Sequence, residues 1–294
     1  MKNRPLLIGL LVFGVLGLVF FLWVYRTTIL TESPVLTDDR IALIRIEGVI
    51  LDSKDTIDEL KRYRENPGIK AILLRIDSPG GAVVPSQEIY EEVKKAREGG
   101  KKKVVSSMGT LAASGGYYIA SATDKIVANP GTLTGSIGVI MELANVEGLM
   151  KKVGVESIVI KSGAHKDLVS PFRKMREEER QILQNVLDDV HEQFIEAVSE
   201  GRGIPIEKVR SLADGRIFTG RQAKGIGLVD ELGDLQDAIR ITASLVGIKG
   251  EPKVVETKKR FSFFDLFRDQ FGAKWGYFPL APGGVQLKYL LTFG

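Results

Sequence analysis

From residue 40 onward the chain alternates between two patterns. Short, nearly unbroken apolar runs are separated by stretches in which apolar positions recur every three or four residues. The runs Ile41–Ile46, Lys70–Ile76, Val104–Met108 and Lys125–Ala128 predict strands. Apolar residues at both odd and even positions fit strands buried on both faces, as in parallel sheets. Between them, Thr56–Arg64 and Val84–Arg97 have helical spacing, stopped by Asn66-Pro67-Gly68 and Gly99-Gly100. Ala113–Ala122 also reads as a helix. The clearest helix is Glu177–Glu200, with an apolar stripe through Ile182, Val186, Val190, Phe194 and Ala197. Shorter ones follow at Ile206–Leu212, Gly220–Lys224 and Leu235–Val246. Gly138–Met141 and Ser157–Lys161 read as further strands. The alternation predicts an α/β fold.

The N-terminus has a different pattern. Pro5–Tyr25 carries no charge, and an apolar helix of that length crosses a hydrocarbon core of ~30 Å. Lys2 and Arg4 precede it, and Trp23 and Tyr25 stand at its far end, where amphipathic rings favour the interface. A cleaved signal peptide is the competing reading. The run is too long for it, and no small-x-small site follows. The expected layout is a cytoplasmic N-terminus (1–4), a transmembrane helix (5–25), a polar linker (26–39), a catalytic body (40–248) and a tail with little structure of its own (249–294). The positive flank places the body outside the cytoplasm, on a single-pass cell-membrane anchor.

With 294 residues and 44% hydrophobic content the chain can bury a large core. Its net charge of +4 is modest, and Lys101-Lys102-Lys103 is too short to suggest nucleic acid. No Cys is present, so no disulfide forms. No metal-ligand spacing or cofactor motif occurs, so neither metal nor cofactor is expected.

The candidate chemistry lies in loops between these elements. Ser114 sits in Gly109-Thr-Leu-Ala-Ala-Ser-Gly-Gly-Tyr-Tyr118. Its small neighbours permit a tight turn and a close substrate approach, and a helix starting here points its positive end at the serine. This is not the G-x-S-x-G elbow, because Ala112 holds the first glycine's place. Asp77-Ser-Pro-Gly-Gly81 follows a buried strand, and its glycines can turn N–H groups toward an oxyanion. Two His limit the choice of base: His191 lies on the long helix, and His165 adjoins Lys166 in Lys161–Asp167. A lysine base must be neutral, which means lowering its pKa from about 10.4 by roughly 2–3, worth about 3–4 kcal/mol. Ser136, in Thr134-Gly-Ser-Ile-Gly138, offers a hydroxyl to hold such an amine.

These motifs occur in an order that resembles the signal peptide peptidase A (SppA) family of membrane-anchored serine proteases. The match runs through Asp77–Gly81, Ala112–Tyr118, Asn129–Gly138, Lys161–Asp167, Asp214–Gly220 and Gly227–Gly233, covering roughly residues 40–248. The resemblance implies Ser114 as nucleophile, Lys166 as general base, Gly81 and Gly115 as oxyanion donors, and Ser136 as the residue positioning the lysine. It implies a ClpP/crotonase-like spiral of β-β-α units. It also implies a short-form protomer carrying the whole dyad, and assembly into a homo-oligomeric ring or dome. The substrates implied are cleaved signal peptides and other apolar extended peptides. Two alternatives remain: a related membrane-bound serine protease acting on one membrane-associated protein, and a crotonase-like acyl-CoA enzyme. The latter would use paired N–H groups but has no need of Ser114 with Lys166. The apolar end, residues 285–294, could lie in the chain's own groove, on the membrane or on a neighbouring subunit.

Overall fold

The computed structural model describes residues 14, 16–20, 39–99, 102–257 and 287–291. The chain forms two compact units, residues 1–39 and 40–294. In the first, residues 14 and 16–20 are helical, with Leu16, Leu18, Val19 and Phe20 exposed. The rest of the expected span 5–25, and all but residue 39 of the expected linker, lie outside the described residues. Among the described residues, no helix is long and apolar enough to cross a membrane.

The second unit is α/β. Its strands are β1 (Arg40–Glu47), β2 (Ile69–Ser78), β3 (Gly80–Ala82), β4 (Lys103–Ala113), β5 (Lys125–Ala128), β6 (Leu133–Gly135), β7 (Ile217–Thr219), β8 (Glu231–Leu232), β9 (Lys253–Glu256) and β10 (Lys288–Leu290). Its helices are α1 (Lys54–Glu65), α2 (Val83–Glu98), α3 (Gly115–Ser121), α4 (Glu147–Val153), α5 (Glu177–Arg202), α6 (Ile206–Leu212), α7 (Gly220–Gly225) and α8 (Leu235–Leu245). The main sheet runs β7-β6-β4-β2-β1-β9, with β5 and β8 branching from β4. All its pairs are parallel except β6–β7. This parallel-rich sheet fits the spiral that the family resemblance implies.

Both faces of the sheet are covered, as the unbroken apolar runs require. Alternate residues of β1 face opposite ways. Ala42, Ile44 and Ile46 join α1, α2, α3 and α5 in the larger core. Ile41 and Leu43 join Leu73, Val105 and Val127 against Ala238, Ile239 and Ala243 of α8.

β4 outruns its sequence pattern. The apolar run ends at Met108, yet the strand continues to Ala113. Its first half pairs with β5 at Val105–Ser107 and its second half with β6 at Leu111–Ala113. Partners on the far edge thus carry a stretch of small residues that has little strand preference of its own. Three other expectations need correction. Residues 155–160 form no strand: Ile158 and Ile160 are 83% and 97% exposed, with no sheet edge beside them. Gly138–Met141 contributes only a bridge, Ile140 to Lys288. The sheet also extends beyond residue 248, since β9 pairs with β1, and β10 pairs with β3 in a separate two-stranded sheet.

Leu73 is fully buried between β1 and β4, under α8. Leu73→Ala is expected to cost about 2–5 kcal/mol, read from the urea midpoint. A loss below about 1 kcal/mol would show that this face is not a packed core.

Candidate functional site

The turn from β4 into α3 is strained. Ser114 has φ 52° and ψ −119°, a region that L-residues other than glycine seldom enter. It is pinned from both sides: its N–H donates to the Gly135 carbonyl at 2.8 Å, and its own carbonyl accepts from Tyr118 N–H at 2.8 Å. The glycine after it is required by space. A Cβ on Gly115 would stand 2.6 Å from Ser86 Oγ and 3.3 Å from Gly81 N. Ser114 is 1% exposed.

The loop after β2 is built to face the same point. Asp77 Oδ1 accepts from Leu111 N–H at 3.0 Å, tying the end of β2 to β4. Ser78 Oγ donates to the Gly48 carbonyl at 2.6 Å and accepts from Gly80 N–H at 3.0 Å. Gly80 adopts φ 96°. The flanking groups bond to Ile50: Ile50 N–H donates to the Gly80 carbonyl at 2.9 Å, and Ala82 N–H to the Ile50 carbonyl at 2.8 Å. A Cβ on Gly81 would collide with that Ile50 carbonyl. Gly81 therefore presents its polar groups to the other side.

On that side lies β10, with Tyr289 opposite Gly81 in antiparallel register. Flanking bonds run from Val83 N–H to the Leu287 carbonyl (3.3 Å) and from Leu291 N–H to the Pro79 carbonyl (2.9 Å). By the alternation of antiparallel ladders, Gly81–Tyr289 is a hydrogen-bonded pair. The other edge of β10 is also held: Lys288 and Ile140 exchange N–H to carbonyl bonds of 3.1 and 3.3 Å. Residues 287–291 thus occupy a cleft that bonds an extended chain on both edges. A Cβ on Gly80 would collide with the Tyr289 carbonyl oxygen and stand 2.6 Å from Gly115 N. The carbonyl of the bound strand and the Gly115 nitrogen therefore converge beside the Gly81 N–H.

Ser136 is buried one residue beyond Gly135, again at positive φ (51°), its N–H donating to the Arg216 carbonyl at 2.8 Å. Ser114, Gly115, Gly81 and Ser136 are thus brought into one neighbourhood. Lys166 is not drawn into it. It is exposed, on a turn where its N–H donates to the Gly163 carbonyl at 3.2 Å, and no hydrogen bond joins it to Ser114 or Ser136. His165 Nε2 lies 3.6 Å from Glu178, His191 sits on α5, and no hydrogen bond joins either imidazole to Ser114.

The lysine loop is held to the start of α5 by charge. Glu179, fully buried, accepts from Arg173 at 2.6 and 2.8 Å and from Arg176 at 2.8 Å, and takes the Arg176 backbone N–H at 2.9 Å. Asp167 pairs with Arg173 at 2.9 Å and with Lys161. Hydrogen bonds from Arg173 and Arg176 hold the Glu179 carboxyl well below the usual range. Those from Arg173 and Lys161 do the same for Asp167. Charge pattern alone did not single out this cluster. Nor did sequence reasoning find the Ile140 edge or the ring of aromatic side chains beside it. Tyr118, four residues after Ser114, and the α5 stripe through Val190 and Phe194 were the signals available.

Comparison with known proteins adds a family. The model of peptidase family S49 matches residues 96–249. A protein named as a candidate protease in Synechocystis sp. is 46% identical over 283 residues, 90% of this chain and 98% of the relative. A candidate signal peptide peptidase SppA of Enterococcus faecium is 37% identical over 216 residues, 69% of this chain and 62% of the relative. Protease 4 of Salmonella typhi is 37% identical over 227 residues, 74% of this chain but 36% of that longer protein.

Because both carboxyls of the loop cluster are held low, its contribution is complete above about pH 5 and is lost as pH falls from there. Amide protection factors over residues 161–176 are expected to drop in acid before those of β1 and β2. Glu179→Gln should lower them at neutral pH and blunt the acid dependence. Unchanged protection in that variant would mean the cluster does not hold the loop.

Proposed function

The chain belongs to peptidase family S49, serine proteases acting on peptides, and on that footing we propose a membrane-anchored endopeptidase using Ser114 and Lys166. The observation that carries this is the convergence at Ser114 of a strained turn, the Gly81 and Gly115 nitrogens, and the carbonyl of a chain laid along β3. A cleft that bonds an extended backbone on two edges suits a peptide and has no counterpart in acyl-CoA binding.

The reaction requires Lys166 to move from its exposed turn to Ser114. Neutral Lys166 takes the Ser114 proton as Oγ attacks the peptide carbonyl. The oxyanion is held by the N–H groups of Gly81 and Gly115, donors of a kind whose single loss costs ~3 kcal/mol. Protonated Lys166 gives its proton to the leaving amine, the C–N bond breaks, and the ester remains on Ser114. Water, activated by the same amine, then releases the acyl chain. Ser136 holds the amine in line. Substrates are apolar extended peptides such as released signal peptides, a class that fits the name of the Enterococcus faecium relative. Residues 5–25 anchor the protein as a single span, with the catalytic unit outside the cytoplasm.

The exposed lysine supports assembly as part of the active state. A general base loses its proton more readily when shielded from water. The segment leading to Lys166 carries Val155, Ile158 and Ile160, each more than half exposed. A homo-oligomeric ring or dome that covers this apolar segment would seat the loop and shield the amine together.

Ser114→Ala and Lys166→Ala should each lower cleavage of an apolar peptide by roughly 10³-fold or more, with unchanged circular dichroism. Near-full activity in Lys166→Ala would sink the dyad. The double variant Ile158→Glu with Ile160→Glu should sediment as a smaller species and lose activity in parallel. Full activity from a monomer would separate assembly from catalysis.

A further inference from the structure

Ser136 owes its backbone position to a turn far along the chain. Asp214, Gly215 and Arg216 lie between α6 and β7, and they close on themselves. The Asp214 carboxylate accepts from the Arg216 N–H at 3.1 Å and from Arg216 Nε at 2.7 and 2.9 Å, with a further bond from the end of the guanidinium. Those bonds from Arg216 hold the Asp214 carboxyl down at about 2, so it is an anion at neutral pH. Gly215 adopts φ 85°. Nothing stands within 4 Å of where its Cβ would be, so glycine serves there for its conformation alone.

The turn clamps the residues that follow β6. The Arg216 carbonyl takes the Ser136 N–H at 2.8 Å, and the Gly215 N–H donates to the Ile137 carbonyl at 3.1 Å. These bonds carry the β6–β7 pairing past its last partners, Gly135 and Ile217. They are made where the chain leaves strand geometry, with Gly135 at φ 81° and Ser136 at φ 51°. A Cβ on Gly135 would stand 2.6 Å from the Phe218 ring and 3.2 Å from the Arg216 carbonyl oxygen. A residue such as Ser136 stays in the left-handed region only while its surroundings hold it there. If its φ relaxed to the usual negative range, Cβ would turn about the backbone and carry the hydroxyl away from its present place.

The Asp214–Arg216 pair is a weak support for the fold as a whole. Both side chains are about half exposed, and exposed pairs of this kind add little to stability. Its effect falls on local geometry instead. We propose that Asp214 and Arg216 are positioning residues for the reaction, fixing the backbone of Ser136 so that its hydroxyl can hold the Lys166 amine. This rests on the peptidase reading given above. It adds a device outside the serine, the lysine and the oxyanion donors, acting through the main chain of Ser136.

Asp214→Ala and Asp214→Asn, each in the full chain, test it with an apolar peptide as substrate. Asp214→Ala should lower kcat about 10-fold and leave KM within about 2-fold, because no contact with the bound peptide is removed. Asparagine keeps an oxygen for the Arg216 N–H, so Asp214→Asn should recover most of that loss. In a Ser136→Ala background, Asp214→Ala should change kcat by less than about 2-fold, since the route it acts through is already gone. Amide exchange gives a readout that needs no substrate. In Asp214→Ala the Ser136 amide should exchange faster, while the amides of β1 and β2 stay protected. Unchanged exchange at Ser136 overturns the proposal. So does an equal loss of kcat in Asp214→Ala and Asp214→Asn, or an equal loss with and without the Ser136 hydroxyl. A chain that cleaves no peptide at all fails the peptidase reading, and the Ser136 exchange tells that failure apart from failure of the turn.

Discussion

Two backbone segments meet at Gly80-Gly81 and Gly115 without room for one side-chain carbon between them. Everything at the candidate site depends on that approach. A methyl on Gly80 would strike the bound strand, one on Gly81 the Ile50 carbonyl, and one on Gly115 the Ser86 hydroxyl. Glycine is the only residue that allows these segments to come so close. The surrounding polar groups hold them there: Ser78 grips Gly48 and Gly80, Asp77 grips β4, and Gly135 grips the Ser114 N–H. The left-handed turn at Ser114 is tolerated because the sheet on one side and α3 on the other fix both of its ends.

One helix then links the separate parts. The first turn of α5 buries Glu179 and receives the two arginines that hold the lysine loop. Its middle packs Phe194 against the Tyr289 ring and offers the Val190 carbonyl to the Tyr289 hydroxyl. Its last turn presses on α3, where a Cβ on Gly201 would collide with the Ser121 carbonyl. The Lys166 loop, the surroundings of Tyr289 and the helix that follows Ser114 therefore share one element of 26 residues.

The core elements were legible because their signal is local. β1, β2 and β5 are apolar on both faces, α1 and α2 end at Pro-Gly and Gly-Gly, and α5 carries a continuous stripe. The small strands were not legible. β3, β6 and β7 are three residues each, made mainly of Gly, Thr and single apolar residues, and they exist only through their partners. Ser157–Lys161 misled for the opposite reason, since its β-branched residues have strand preference but no edge to join. At the site, the residue types in the glycine loops pointed to Ser114, and the family resemblance to Gly81 and Gly115. The placement of Lys166 depends on a charge cluster spread over Lys161–Glu179, which no short motif contains. The cleft was hidden because its two edges, β3 and Ile140, are 58 residues or more apart in sequence.

The two-edged cleft has a bearing on what the protein leaves alone. Residues 287–291 are bonded to β3 along one side and to Ile140 along the other. A chain that takes their place must bring both of its own edges unpaired, over about five residues. Strands inside a folded sheet have already committed one or both edges, and helices have committed their amides to themselves. Discrimination at this cleft therefore begins with conformational state, before any side chain is read. On the proposed reading, intact neighbours would be spared because they are folded, and a peptide would become eligible once it had lost the structure that kept its backbone occupied.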